Sequence, residues 1–253
     1  MRKNVLPLAI AAALTLSLAL APVVKAGNND ARLTSGVKEI VATSTNEAKT
    51  SSNAASALAS ALYNDLDLSS IGLSYAAMEY AYKGFEYLKA QGRLGNSNIL
   101  TVVDFSQSSM KKRMYIIDVT DRKVLLNTFV AHGKNTGLDF ATRFSNKMES
   151  LQSSLGFYIT KGTYFGKHGL SLKLDGQEPG FNDKAEQRAV VIHGANYIGA
   201  HRLGSAYMGR SFGCPAVPQA QANTVINYLK NGTTLFIYHP SQNYLNGSKI
   251  LNG

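Results

Sequence analysis

The sequence predicts a mostly β domain, either a folded sheet or a β-sandwich, with an N-terminal helical segment and one internal helix. Short runs of β-branched and apolar residues, separated by turns rich in glycine and proline, recur between residues 96 and 240. Two stretches, residues 67–90 and 219–230, instead repeat apolar residues at intervals of three and four, which is typical of helices.

The N-terminus has the pattern of a bacterial-type signal peptide. A charged start, Met1 to Lys3, precedes an apolar run over residues 5–20, and small residues lead to Ala26. We therefore expect residues 1–26 to be removed and the protein to be exported, either periplasmic or secreted, with no stable membrane insertion after cleavage. An uncleaved anchor is the competing interpretation, and Pro22 with the small residues near Ala26 favours cleavage.

The segments that follow the signal peptide are predicted as a polar extension and a helix. Residues 27–64 are rich in Ala, Ser, Thr and Asn, with partial helix over residues 54–62. The helical segment of residues 65–95 contains the helix of residues 67–90, which we expect to pack on the domain core. Its apolar face is formed by Leu68, Ile71, Tyr75, Met78, Tyr82 and Phe85.

The main domain is predicted over residues 96–240, with a polar tail at residues 241–253. Strands are predicted over residues 98–105, 113–119, 124–131, 156–165, 169–174, 189–193 and 233–238. Residues 139–152 are ambiguous between a loop and a short helix, and residues 175–183 are a loop. The internal helix follows Pro218, and Pro215 and Pro218 bracket a turn before it.

Charge and cysteine content narrow the possible functions. The formal net charge is +10, but the basic run at residues 111–113 is short and isolated. This favours charge spread over a solvated surface rather than a nucleic-acid site. The single cysteine, Cys214, excludes an internal disulfide, so the thiol is either buried and inert or kept because it reacts.

The stretch of residues 188–218 contains the groups needed for acyl transfer. A thiol at Cys214 is activated when a histidine such as His193 takes its proton. The backbone amides of Gly213 and Cys214 can stabilise an oxyanion, and the start of the following helix favours a thiolate. Gly194 lets a neighbouring chain approach His193 closely.

The spacing of these residues resembles a known family. His193 is followed by seventeen residues, of which Gly194 is the first, and then by Ser211-x-Gly-Cys. This spacing resembles the signature of L,D-transpeptidases of the YkuD type. The sequence GRSFGCPAVP at residues 209–218 is similar to the branch called the murein L,D-transpeptidase catalytic domain family, as are residues 144–146 and 153–156. The resemblance extends over roughly residues 73–238.

The resemblance implies a fold of the L,D-transpeptidase type and an activity on peptidoglycan stem peptides. In such enzymes a thiolate attacks the carbonyl of the L-centre of a diamino acid in a tetrapeptide stem and releases D-Ala. The acyl group then passes to an amine of another stem, giving a 3→3 cross-link, or to water. Cys214 would be the nucleophile, His193 the base, Gly213 and Cys214 the oxyanion donors, and Ser211 and Gly194 supports. No metal or organic cofactor is expected.

Two positions depart from the commoner family pattern. Phe212 stands where the family has histidine, and Ala216 stands where it has arginine. Recognition of the donor carboxylate would therefore need another cation, and Arg210 or Arg202 is the candidate. His201 lies in the variable insert and is interpreted as a surface loop residue.

Other functions remain open at this stage. An L,D-carboxypeptidase would use the same acyl-enzyme, and a non-catalytic exported wall-binding protein would have an inert thiol. A zinc site is disfavoured because the histidines lack a recognised metal-binding spacing. A sortase is rejected because no arginine follows Cys214.

Overall fold

The computed structural model describes residues 53–253, and its central feature is one mixed sheet of eight strands. The expected signal peptide and most of the expected extension lie outside the described residues. The mostly β fold class is confirmed. The strands are β1 (Ile99–Asp104), β2 (Met114–Asp118), β3 (Lys123–Thr128), β4 (Gly156–Gly166), β5 (Gly169–Gly176), β6 (Val191–Ala195), β7 (Ala216–Pro218) and β8 (Thr234–Tyr238).

The strand order is β3-β2-β1-β8-β4-β5-β6-β7. Strands β1 and β8 are parallel, as are β6 and β7, and the remaining neighbours are antiparallel. The two ends of the sheet meet, because the chain beyond β3 forms bridges from Ala131 to Ala216 and from Gly133 to Ser211. The segment around Cys214 is therefore held between β6 on one side and residues 131–133 on the other.

The helices are α1 (residues 53–65), α2 (Tyr75–Ala90), α3 (Ala222–Leu229), α4 (Gln242–Gly247) and α5 (Lys249–Asn252). Helix α2 begins later than predicted. Residues 66–72 form turns, and both Asp67 and Gly72 have positive φ angles, which a helix cannot contain. Ser74 caps the helix by accepting a hydrogen bond from Ala77 N and also donates one to Asp104.

The predicted polar extension, residues 27–64, overlaps helix α1, which begins at residue 53. Its buried residues Ala55, Ala59 and Leu62 are spaced by four and three, and Leu62 belongs to the main hydrophobic core. Residues 53–64 are therefore part of the folded domain. The small alanine side chains concealed this face, because their hydrophobicity is low although they allow close packing.

The C-terminal tail was predicted to be polar, and that prediction is wrong for residues 242–252. Helices α4 and α5 bury Tyr244, Ile250 and Leu251, and α5 packs against α2. The Tyr244 hydroxyl and Ser248 Oγ also donate hydrogen bonds to the buried carboxylate of Glu178. A few spaced apolar residues in a polar segment were too weak a signal for these helices.

Helix α2 packs against β1 and β8, and the approach is very close at Gly84. A Cβ atom on Gly84 would lie 2.0 Å from Cζ of Phe157, whose ring stacks on that of Phe236 with 4.2 Å between centroids. Residues 139–152 contain neither helix nor strand. None of the helices described in residues 53–253 has the length and apolar character needed to cross a membrane.

Candidate active site

Strand β6 places His193 at the centre of the site. The strand predicted at residues 189–193 begins at Val191 and continues to Ala195, so His193 is its middle residue. Strand β7 was not predicted, because prolines at both ends of a short apolar segment indicated a turn. The two strands are parallel, with His193 opposite Ala216.

Cys214 lies next to strand β6, which carries His193. It lies in a bend two residues before β7 begins, and its sulfur accepts a hydrogen bond from Val191 N, two residues before His193. The thiol therefore lies beside the first residue of the strand whose middle residue is His193.

The Cys214 thiol is half-buried and held by the chain at the start of β6. Sγ lies 3.5 Å from Val191 N, and the thiol donates to Ala189 O at 3.6 Å. Burial raises the pKa of the thiol, while the Val191 amide and the positive charges of Arg188 and Lys167 act in the opposite direction. The protonated thiol is therefore favoured in the free protein.

The His193 ring is only 4% exposed, and its tautomer is fixed by the backbone. Nδ1 lies 2.9 Å from Gly194 O, and since a carbonyl oxygen can only accept, Nδ1 carries the proton. Nε2 is therefore left with a lone pair for proton transfer. Burial lowers the pKa of His193, the Gly194 hydrogen bond opposes this, and nearby His168 and Lys167 lower the pKa further.

His168 lies against His193, although no pattern along the chain indicated this contact. This residue lies in the tight turn between β4 and β5, and its exposed ring stacks on His193 with 4.4 Å between centroids and 23° between planes. The pairing of Ser171 with His193 brings the turn there. His168 thus covers the imidazole that β6 presents.

Ser211 closes the loop that carries Cys214. Its hydroxyl donates to Cys214 O at 2.6 Å and accepts from Gly213 N at 3.0 Å. Gly213 has a φ of 126° and lies against Gln152 O, so a side chain would be strained there. The Gly213 amide, expected as an oxyanion donor, thus donates to Ser211 within the loop. Within residues 53–253, the Cys214 amide makes no hydrogen bond to another residue.

Gly194 has a packing reason to be glycine. A Cβ atom at this position would lie 2.7 Å from Gln219 Oε1 and 2.8 Å from the Cβ of Ala222 at the start of α3. The absence of a side chain therefore lets the helix pack directly behind His193.

A buried pair supports the strand that lies on the other side of the Cys214 loop. The guanidinium of Arg113 contacts His132 Nδ1 at 2.7 Å, and His132 Nε2 lies 3.3 Å from Gly137 O. His132 O in turn accepts from Ser211 N at 2.9 Å. Burial and the charge of Arg113 lower the pKa of His132 to about 4, so this histidine is neutral at pH 7.

A family model described as the L,D-transpeptidase catalytic domain matches residues 69–238. The chain belongs to this family. The resemblance that the spacing of His193 and Cys214 indicated is therefore confirmed at the level of the family. The match contains every strand of the sheet and both residues.

Several solved structures are similar to this chain at low identity. An L,D-transpeptidase from Mycobacterium smegmatis is 13% identical with a TM-score of 0.34, over 56% of this chain and 59% of that chain. One from Xylanimonas cellulosilytica is 16% identical with a TM-score of 0.31, over 54% and 58%. The helical cell shape determining protein Pgp2 from Campylobacter jejuni is 16% identical with a TM-score of 0.33, over 64% and 57%. This chain therefore spans 57–59% of the length of these three proteins. A search of curated proteins gives no match.

Within this L,D-transpeptidase domain, the two arginines that were candidates for carboxylate binding lie in different places. Arg210 donates to Lys134 O and Gly137 O and lines a cavity of about 490 Å³ together with Lys134 and Arg143. Arg202 ends the 3₁₀ turn Ala200–Arg202, and its buried Nε has no hydrogen-bond partner among the described residues.

The remaining histidine of the predicted insert is exposed. His201 lines a second cavity of about 570 Å³, as expected for a surface loop residue. Neither this cavity nor that of Arg210 is lined by Cys214 or His193.

Proposed function

We propose that this protein is a cysteine-dependent peptidoglycan L,D-transpeptidase, with Cys214 as the nucleophile and His193 as the base. The observation that carries the proposal is the contact of the Cys214 sulfur with Val191 N, in the strand whose middle residue is His193, within the matched family domain. The fixed Nδ1 proton supports it, because Nε2 of His193 is then ready to accept the thiol proton.

Acylation begins when the thiol turns from Ala189 O to His193 and transfers its proton to Nε2. The thiolate attacks the carbonyl carbon of the diamino acid at its L-centre in a tetrapeptide stem. The free amide of Cys214 donates to the oxyanion that forms. The C–N bond to the terminal D-Ala then breaks, His193 returns the proton to the departing amine, and a thioester remains.

Deacylation reverses the roles of the same groups. His193 takes a proton from the side-chain amine of a second stem, which attacks the thioester carbonyl and gives a 3→3 cross-link. The thiolate leaves and is protonated again by His193. Ser211 supports both steps, because its hydroxyl holds the backbone of the Cys214 loop in one conformation.

Recognition of a carboxylate of the stem is assigned to the cavity lined by Arg210, Lys134 and Arg143. Asp139 also lines it, but its carboxylate accepts from Ser108 and Ser109, so the cavity offers positive charge to a ligand. Arg210 precedes Ser211 and therefore connects this cavity directly to the loop of the nucleophile. Arg202 has no such connection to Cys214.

Two alternatives differ from this proposal in a measurable way. An L,D-carboxypeptidase would form the same thioester and pass it to water. A non-catalytic exported wall-binding protein would have an inert Cys214 that resists alkylation in the folded state.

The decisive experiment is incubation of the protein with purified disaccharide tetrapeptides, followed by mass analysis of the products. Cross-linked dimers with loss of D-Ala support the transpeptidase, and tripeptides alone support the carboxypeptidase. We expect Cys214→Ala to abolish both products without unfolding the protein. His193→Ala is expected to lower the rate at least 100-fold, while His201→Ala, on an exposed loop, serves as the matched control. Normal turnover by Cys214→Ala would refute the mechanism.

A further inference from the structure

Arg188 lies beside the two backbone groups that contact the Cys214 sulfur. Ala189, the next residue, accepts the thiol hydrogen bond, and Val191 N donates to Sγ. Ala189 has a positive φ of 52°, which is unfavourable for a residue with a side chain. The chain from Arg188 to Val191 is thus bent so that it borders the sulfur.

The guanidinium of Arg188 is half-buried and makes contacts only with neutral acceptors. Nη1 donates to Ser145 O at 2.8 Å and to Ser154 Oγ, while Nη2 donates to Gln152 O at 2.6 Å and Ser150 Oγ at 3.3 Å. Among the ion pairs of residues 53–253, none includes Arg188. A cation removed from water is costly unless an anion compensates it, so the site has an unbalanced positive charge.

The same guanidinium lies against the residue that precedes the nucleophile. Nη2 is 3.4 Å from the position of a Cβ on Gly213. Burial lowers the pKa of Arg188, and the negative charges of ionised Tyr158 and Cys214 would each raise it. An ionised Cys214 is therefore the anion that the arrangement is suited to compensate during the reaction.

We propose that Arg188 is a positioning residue that stabilises the Cys214 thiolate and holds residues 145–154 against the nucleophile loop. This inference rests on the proposed function, because it concerns the ionised thiol of the same reaction. Both Nη atoms are fully engaged with protein acceptors, so Arg188 acts on the thiolate through its charge and does not bind a substrate carboxylate.

Other charged or titratable groups lie near Cys214, and their effects on the thiolate must be distinguished from the effect of Arg188. Lys167 in the exposed turn between β4 and β5 also favours the thiolate, but solvent screens its charge. Tyr197 interacts with the charge of Cys214 from the insert after β6, and His193, which stacks on His168, is the middle residue of β6. Arg188 is the least exposed of the cations that act on the sulfur.

The test is the pH dependence of Cys214 alkylation by iodoacetamide, followed by intact mass, in the wild type, Arg188→Gln, Arg188→Lys and the exposed control Arg93→Gln. We expect Arg188→Gln to react roughly tenfold more slowly at pH 7, with the profile moved to higher pH, since loss of an opposite charge shifts a pKa by about one unit or more. Arg188→Lys should restore most of the rate, and Arg93→Gln should match the wild type. An unchanged profile in folded Arg188→Gln overturns the proposal.

A second measurement decides the matter if Arg188→Gln does not fold. In Lys167→Gln, where Arg188 is the remaining strong cation, the rate ratio of anionic iodoacetate to neutral iodoacetamide should exceed that of free cysteine by about threefold or more. A ratio equal to that of free cysteine overturns the proposal. Release of D-Ala by the wild type is measured in parallel. If the wild type releases D-Ala but Arg188→Gln has an unchanged pH profile of alkylation, only the role of Arg188 is rejected. If the alkylation profile of Arg188→Gln is shifted but the wild type releases no D-Ala, only the proposed transpeptidase activity is rejected.

Discussion

At the residue scale, burial sets the resting state of Cys214 and His193. Burial raises the pKa of the thiol and lowers that of the imidazole, so both groups are neutral before substrate binds. The proton must therefore move during the reaction rather than before it. This arrangement makes the resting thiol less reactive toward oxidants, because the thiolate is the reactive form.

His193 and Cys214 could be chosen as candidate catalytic residues from the sequence because their spacing and the lone cysteine are visible along the chain. His168 and Arg188 could not be chosen in the same way. His168 reaches His193 through the pairing of β5 with β6, and Arg188 contacts residues 145–154, far away in sequence. Such juxtapositions depend on strand order, which local patterns do not specify.

His168→Ala tests how the stacked ring acts on the base. Removing the ring exposes His193 to water and removes a neighbouring charge, and both changes raise the pKa of His193 toward its ordinary value. We expect the titration of His193, followed by NMR, to move to higher pH. The low-pH part of the rate profile for Cys214 alkylation by iodoacetamide should move in the same direction. His201→Ala should leave both unchanged, and a His193 titration that does not move would show that the stack has no electrostatic effect.

At the scale of elements, the long strands and helix α3 were predicted within a few residues, because each carries a clear apolar pattern. Helix α1 was expected only as a partial helix within a polar extension, and helices α4 and α5 were missed, since each is stabilised by packing on the domain rather than by its own composition. Strand β7 was missed for a related reason. It has three residues, follows one proline and ends in another, and is held by its neighbours, β6 and residue Ala131.

Gly84→Ala tests the close contact between α2 and β4. A methyl group would overlap the Phe157 ring, so the helix or the ring must move. We expect a loss of about 1–3 kcal/mol from overpacking, partly offset by the better helix propensity of alanine, which is worth about 1 kcal/mol. Urea unfolding measures the difference. Gly162→Ala is the matched control, since a Cβ there meets nothing within 4 Å; equal stability of both variants would contradict the packing argument.

Glu178→Ala tests the attachment of the C-terminal helices. The carboxylate accepts hydrogen bonds from Phe157 N, the Tyr244 hydroxyl and Ser248 Oγ, so its removal leaves three buried donors without an acceptor. We expect a loss of about 3 kcal/mol in the free energy of unfolding. Increased proteolysis after residue 241 should accompany it. The exposed Glu149→Ala is the control, and a stable, protease-resistant Glu178→Ala would show that α4 and α5 are held by apolar contacts alone.

At the scale of the whole molecule, the site lies where the two ends of the sheet approach each other. The sequence predicted a folded sheet but not this closure, which depends on bridges between residues 131–133 and the segment of Ser211 to Ala216. Arg113 and His132 lie directly behind these bridges. The bridges that join the two ends of the sheet should therefore be stable only while His132 is neutral.

This dependence predicts a loss of stability in acid. Between pH 6.5 and about 4 the unfolded chain binds a proton at His132 that the folded protein excludes, so the free energy of unfolding falls as the pH falls through this range. From the two pKa values we expect a loss of about 2 kcal/mol between pH 7.5 and pH 5. His132→Gln keeps a neutral polar group and should lose this part of the pH dependence, while the exposed His201→Gln should retain it. Urea unfolding at both pH values measures the difference, and equal pH dependence in the wild type and His132→Gln would show that the Arg113–His132 pair does not control the closure.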